Sequence, residues 1–482
     1  MKRPLLSILA GMLVCGMSMA QNEEIHVFRN DRNINSLKAS DIKEIKYQGG
    51  TSGYSHMIVN KADGSTLTVS MDVVDSCVLR ATGLPEFHVT LNDYPTWTEL
   101  NTSWGKSYEY SATLRMDGNG MFDDLPEQTV IFRGRGNSTW NMPKKPYRFK
   151  MNKKASVCGL KKAKTFALIA NFIDGTLMRN AIALWTANYL GLPYSNHCIP
   201  VNVYLNGTPK GQYMLTEKIG IGGGSVDIDE LKGMLFELDS NYDEDFRFRY
   251  YWKSSDGRQR QLPVMVKDPD LTEIAPLIGT TANEYFAKWQ DDFTKFADAV
   301  VNTPATGSLK DYLDLDAAAN YFIVNSLANN HEMKHPKSLY LHKDSIEGVY
   351  KFGPVWDFDW AYTFENYRDE SASAIVPLVS QNGDCNGADF VKALFSNEEF
   401  MNLYREKWAD FVTNGYPQLK AYIEQYATMI EPSAKENGLI WESQLSSYGL
   451  NSYDLRDNLS ALKAWLDARV AYCNSHPNCG IF

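Results

Sequence analysis

The run Arg133-Gly134-Arg135-Gly136-Asn137-Ser138-Thr139-Trp140, followed by Lys144-Lys145-Pro146-Tyr147-Arg148-Phe149-Lys150, constrains the fold more than any other part of the chain. It sets cations and glycines into a segment that otherwise reads as paired strands. Cations on strand faces beside a glycine turn suit a phosphate or carboxylate ligand. The plainer reading is a solvated, lysine-rich strand face. Arg135, Asn137 and Ser138 sit at the glycine turn, where Gly134 and Gly136 would let the backbone approach phosphates. Alternatively the glycines make a bulge and Arg135 pairs with a core carboxylate. With Lys144 to Lys150 taken as one strand, Lys144, Arg148 and Lys150 share a face, and Lys145, Tyr147 and Phe149 share the other. Lys145 then accompanies apolar residues on the inward face and is the first candidate for a phosphate-binding lysine. Asp174, at the next helix start, is either its partner or an N-cap.

A second segment, Val355-Trp356-Asp357-Phe358-Asp359-Trp360, answers the first. Carboxylates two residues apart lie on one face of a strand, where Asp357 and Asp359 can hold a divalent cation. The plainer reading has one capping a turn and the other pairing with an arginine. Early cationic strands and a late acidic pair are the minimum parts for handling a nucleotide–metal complex.

The chain is acidic overall, with a formal net charge of -10, which argues against a general nucleic-acid binder. Met1-Lys2-Arg3, an apolar run from Leu5 to Val14 and Ser18-Met19-Ala20 read as a signal peptide over residues 1–20, cut after Ala20. Cys15 raises a lipoprotein alternative, which Val14 fits poorly because lipoprotein processing wants a small residue there. No later segment has the length of a membrane span. Export to the periplasm or cell surface is the expectation, and in an exported chain Cys473 and Cys479, with Pro477 and Asn478 between them, are the best disulfide candidates.

Residues 21–82 alternate in short strand-like pieces, with a turn at Asn60–Gly64, and predict a small β module. Gly83-Leu84-Pro85 reads as a linker. Strands follow to about Met151, then a helix after Asp174-Gly175-Thr176. The next elements are a hairpin around Asn206-Gly207, a strand group from Met234 to Lys267 and mostly helix from Ala275 onward. In the last helix Leu462, Trp465 and Leu466 can share an apolar face. His331-Glu332-Met333-Lys334-His335 has the spacing of a zinc-hydrolase helix, but Pro336 disfavours helical geometry at His335.

RGRGNSTW, KKPYRFK, DGTLMRN, YLNGTPKGQYMLTEK and GPVWDFDWAY, in that order, resemble the CotH (spore coat protein H) kinase family from roughly Pro85 to the C-terminus. The resemblance implies an α+β, atypical protein-kinase-like, two-lobed fold. Its parts would be an N-lobe at about 86–220, a β insertion at about 225–270, a helical C-lobe at about 275–473 and a tail at 474–482. It implies ATP with Mg2+ or Mn2+, a protein acceptor hydroxyl, and secretory or surface placement. Arg135, Asn137 and Ser138 would cover phosphates, Lys145 and Arg148 would bind them, and Asp357 and Asp359 would hold the metal. Glu217 would lie at the inter-lobe hinge, or else pair with a cation such as Arg179. The segment around Glu332 would be the catalytic loop. Here the chain departs from the family pattern, with Glu332 near the place of an aspartate base and Ser338 near that of a metal-binding asparagine. A pseudokinase, or a surface binding protein using aromatic side chains on glycans, is therefore the alternative. A zinc metallohydrolase built on His331 and His335 is the third reading.

Overall fold

The computed structural model describes residues 24–482 apart from 30–33, 39–40, 51–52, 81–82, 93–105, 255, 303–307, 363–374, 381, 446–447 and 449–453. The expected leader, with Cys15, lies outside the described residues.

β1 (Glu24–Arg29), β2 (Ile34–Lys38) and β6 (Val74–Arg80) form one antiparallel sheet. β3 (Ile42–Gly50), β4 (Gly53–Lys61) and β5 (Thr66–Ser70) form another. Period-two alternation buries Ile25, Val27, Met57 and Val59 in one small core with Leu37, Val69 and Val74.

Seven strands then close a barrel: β7 (Glu86–Leu91), β8 (Tyr110–Asp117), β9 (Leu125–Gly134), β10 (Tyr147–Ala155), β11 (Ala163–Ile169), β12 (Ile199–Leu205) and β13 (Thr208–Glu217). Their order is β10-β11-β13-β12-β7-β8-β9. β12 and β13 make the expected hairpin, with Asn206 and Gly207 both at positive φ. β7 joins β12 in parallel and β8 antiparallel. Alternate residues such as Phe87, Phe132, Tyr147, Phe149, Phe166 and Leu215 fill the interior. Their neighbours on β9, β10, β11 and β13 point outward and roof a cleft. β10 begins only at Tyr147. Pro146 and the 3₁₀ turn Ser138–Asn141 keep Lys144 and Lys145 out of the ladder, so the face assignment based on a strand from Lys144 is corrected.

Helix α1 (Arg179–Tyr189) links β11 to β12 and ends at Gly191, at φ 68°, before Pro193. Beyond the barrel, β14 (Met234–Leu238), β15 (Arg247–Lys253), β16 (Gln259–Asp268), β17 (Leu339–Lys343) and β18 (Lys351–Phe352) form one sheet, ordered β15-β16-β14-β17-β18. The strand group read as an insertion is thus continuous with strands that follow it by many residues. β14 and β17 are buried along their whole length, as central strands covered on both faces are.

Among the described residues the α-helices after α1 are α2 (Leu271–Ile274), α3 (Ala282–Asn302), α4 (Leu315–Ala328), α5 (Gly387–Phe395), α6 (Glu398–Asp410), α7 (Tyr416–Leu445) and α8 (Leu455–Ser475). α4 is buried at every residue but Asp316, and Asp314 caps it by accepting from the Ala317 amide at 2.9 Å. α7 lies along β13: Trp441 Nε1 donates to the Lys210 carbonyl at 3.0 Å, and a Cβ at Gly211 would come within 2.5 Å of Asn437. In α8, Leu462, Trp465 and Leu466 are buried as expected. Arg469 is buried too, donating to the Ser326 and Val376 carbonyls at 2.7 and 2.5 Å.

Cys473 and Cys479 are free thiols, which corrects the expected disulfide. The C-terminal turn is held by backbone bonds instead, from the Leu378 and Val379 amides to the Gly480 and Ile481 carbonyls. No described helix is long and apolar enough to cross a membrane.

Candidate functional site

Between the barrel roof and the second sheet lies a cleft of about 540 Å³. Arg135, Asn137, Ser138, Arg148, Glu332, Ser338, Asp357 and Asp359 all line it, although they come from four separate parts of the sequence. The cleft therefore unites the two segments on which the sequence reading rests.

The glycine loop is shaped by its own packing. A Cβ at Gly134 would sit 2.2 Å from the Trp140 ring, and one at Gly136 would sit 2.3 Å from Thr139 Oγ1. Gly136 also has φ 85°. These glycines admit Trp140 and Thr139 beneath the loop, which sets the loop's path over the cleft. Asn137 Oδ1 accepts from Lys106 Nζ at 2.9 Å. The Arg135 guanidinium stacks 5.2 Å from the centre of the Trp356 ring. Burial pulls Arg135 below its usual range, and the charges of Asp357, Tyr340 and Asp359 partly restore it.

Asp357 and Asp359 are not on a strand. After the cis Gly353–Pro354 bond the chain runs as a loop, and Asp357 has φ 62°. Both carboxylates still reach the cleft because the left-handed turn at Asp357 re-aims the chain between them. Asp357 is open to solvent within the cleft, while the cleft walls surround it closely. Enclosure raises its pKa, Arg135 opposes that shift, and Asp239 adds to it. Asp359 is buried. Burial, reinforced by Asp357, pushes it up to about 7 against the hydrogen bond from Asn180. Asn180 is a clamp: its Nδ2 donates to Asp359 Oδ1 at 2.6 Å, and its Oδ1 accepts from the Phe358 amide at 3.0 Å. Arg179 Nη1 holds the Asp359 carbonyl at 2.8 Å.

Opposite them Asp239 accepts from the amides of Asn241 at 2.7 Å and Ser338 at 3.1 Å. Ser338 has φ 51°. Behind it Glu237 accepts from Tyr340 Oη at 2.8 Å and pairs with Lys267 at 2.7 Å. Among the described residues no three His, Cys, Asp or Glu side chains converge as a complete metal cage. The Asp357–Asp359 pair does fit a hard cation that takes one or two carboxylates and completes its shell with phosphates and water.

Lys144, not Lys145, borders the cleft. Lys144 is wholly buried and donates to the Gln212 carbonyl and to Asn437 Oδ1, the latter at 2.7 Å, over the Tyr213 ring. Burial lowers its pKa well below the usual lysine range, and Asp174 counteracts this. Lys145 turns away, its Nζ donating to the Trp140 carbonyl at 2.5 Å and lying over that indole. Asp174 is not the N-cap of α1, a place held by Met178, but it braces the approach to the helix by accepting from the amides of Thr176 and Arg179 at 2.9 and 2.8 Å. Glu217 ends β13 away from the cleft and engages His197 through both the amide and the ring, at 2.8 and 2.6 Å. Arg179 pairs with Asp174 at 3.7 Å instead.

His331–Lys334 is a single 3₁₀ turn capped by Asn330. His335 follows it, joined to Pro336 by a cis bond, and contacts Asp384 at 3.2 Å. The two histidines do not share the α-helix that the zinc motif requires. Glu332 is buried on this turn and lines the cleft.

Sequence reasoning missed Lys144, Asn180 and Asp239. Asn180 lay within the DGTLMRN motif without a role, and Asp239 lay without a role inside the strand group from Met234 to Lys267. No curated protein matches the chain. Residues 132–473 match the CotH kinase protein family, a span that holds the whole cationic loop, the Glu332 turn and the aspartate pair, and the chain belongs to that family.

Proposed function

We propose that this protein is an exported atypical kinase that transfers the γ-phosphoryl group of ATP to a serine or threonine hydroxyl of a protein at the cell envelope or surface. The observation that carries this reading is the cleft itself, whose lining brings Arg135 and Arg148 together with Asp357 and Asp359. A metal-bridged triphosphate needs cations on the phosphate side and carboxylates on the metal side. Asp357 and Asp359 would hold Mg2+ or Mn2+, with Ser338 at the edge of that site. The cation supplies charge neutralisation on the phosphates. Arg135, Asn137 and Ser138 cover the phosphates from the roof. Lys144 takes the role first assigned to Lys145, since it alone of the two borders the cleft. Glu332 accepts the acceptor's proton as the new bond forms.

Glutamate in place of aspartate, and serine in place of asparagine, favour a second reading, a pseudokinase that binds nucleotide without turnover. Titration calorimetry with ATP and Mg2+ or Mn2+, paired with a phosphotransfer assay, separates the two. Asp357→Ala is expected to weaken cation-dependent binding roughly tenfold or more. Glu332→Gln is expected to keep binding and lose turnover. A folded wild type that binds no nucleotide with either cation overturns both readings.

A further inference from the structure

A second, smaller cavity of about 110 Å³ lies on the outer face of the barrel, lined by Glu109, Ile131, Arg133, Arg148, Lys150, Thr165 and Lys218. It adjoins the main cleft, with which it shares Arg133, Arg148 and Lys218. Three features set it apart from a solvated lysine face. Arg133 and Arg148 are directly opposed on β9 and β10, and like charges in that position repel. A single carboxylate, Glu109, serves both, at 3.4 and 3.5 Å. Arg133 Nε is also buried without a hydrogen-bond partner. The lining sets four cations against one carboxylate; Asp268 and Glu244 act on Lys218 from outside it, but the two arginines forced together by strand register share Glu109 alone among the lining residues and leave a surplus of positive charge that an anion would neutralise.

The cavity has room for about three or four waters at roughly 30 Å³ each. That suits one phosphate or carboxylate and not a nucleotide. None of Asp357, Asp359 or Glu332 borders it, so an anion held there is not the metal-bridged triphosphate. We propose that Arg133, Arg148, Lys150 and Lys218 form an anion subsite that binds an acidic side chain, carboxylate or phosphate, carried by the acceptor polypeptide beside its reacting hydroxyl. This assignment of an acceptor rests on the phosphotransfer reading. Burial and the neighbouring Arg133 charge lower the Arg148 pKa, and burial lowers that of Lys218. Both shifts are what a closing anion would reverse. An acceptor anchored here would lie along the roof with its next residues in the cleft.

The test uses the full-length chain and fluorescein-labelled serine peptides flanked by glutamate, by phosphoserine or by lysine, read by fluorescence anisotropy without nucleotide. Inorganic phosphate is the competitor that reports a free-anion site. The glutamate or phosphoserine peptide is expected to bind at least roughly fivefold tighter than the lysine peptide, and Lys150→Gln to erase most of that preference. Lys150→Arg should restore it, and the ATP affinity of both variants should stay within roughly twofold of wild type, since Lys150 borders only the smaller cavity. Arg133→Gln gives a second measurement should Lys150→Gln fold poorly. Equal or tighter binding of the lysine peptide, or an acidic preference untouched by both glutamine variants, overturns the proposal. So does competition by inorganic phosphate with no difference among the peptides. Acidic-peptide binding in a protein that binds no ATP would leave the subsite standing and remove the kinase reading alone.

Discussion

At Asp359 burial works against ionisation, and this has a thermodynamic sign. The folded-state pKa, about 7, lies above the ordinary value of 3.8. Between those values the folded protein binds more protons than the unfolded chain. Stability therefore falls as pH rises through that window and levels off above about 7. Asp359→Asn keeps the oxygen that accepts from Asn180 but removes the charge, so its melting temperature should lose much of the decline that wild type shows from pH 5 to pH 8. A divalent cation with ATP competes with the proton for the same oxygens, so its affinity should rise from pH 6 to pH 8 in wild type and stay flatter in Asp359→Asn. Melting curves and calorimetry across that range check both, and an unchanged slope in the variant refutes the burial argument. The two aspartates were legible in the sequence because their spacing and aromatic flanks are local. Their geometry was not, because a left-handed residue at Asp357 breaks the strand parity from which their common face was inferred. Lys144 and Lys145 were exchanged for the same reason: parity holds only inside a ladder, and Pro146 precedes the ladder's first residue.

The loop Gly134–Trp140 shows how an element can be held in shape by packing beneath it. Gly134→Ala puts a methyl into the Trp140 ring, which must then leave its buried place. The expected cost is about 1–3 kcal/mol of stability, with a changed tryptophan emission and weaker ATP binding as Asn137 and Ser138 shift. Gly136→Ala should give a smaller loss of about 1 kcal/mol from its left-handed backbone, plus the clash with Thr139. Urea titrations followed by fluorescence measure both, and a Gly134→Ala protein as stable as wild type would refute the packing account. Elements with a local signature, such as the Asn206-Gly207 hairpin and the helix stop at Gly191, could be read directly. The sheet that joins β14 to β17 could not, because antiparallel partners separated by about a hundred residues leave no mark at either site. The turn at His331 shows the converse, a motif legible by spacing whose rejection was also legible, through Pro336.

At the scale of the whole molecule, the small β module and the barrel are separate structures. Every barrel strand begins at or after Glu86, and the module has its own core. Among the described residues they are tied by the Lys38–Asp117 ion pair, whose lysine is half exposed, worth at most about 1 kcal/mol. A chain starting at Gly83 is therefore expected to fold and to bind ATP within roughly twofold of the full chain. Gly83 is the right start because Leu84 is buried in the main core and the Pro85 carbonyl accepts from the Asn202 amide. Circular dichroism and calorimetry on the shortened protein check this, and an unfolded product would show that the module supports the barrel. The seven-strand barrel also fixes an order of events. β7 is made first, yet its parallel partner β12 follows more than a hundred residues later, so during synthesis its outer edge must wait, unpaired, until the hairpin of β12 and β13 arrives. Closure then joins strands far apart in the sequence in one step, which makes it slow and leaves the waiting edge open to strand addition from another copy. The folding rate of this protein should accordingly be set by the docking of the β12–β13 hairpin, with yield falling as concentration rises during refolding.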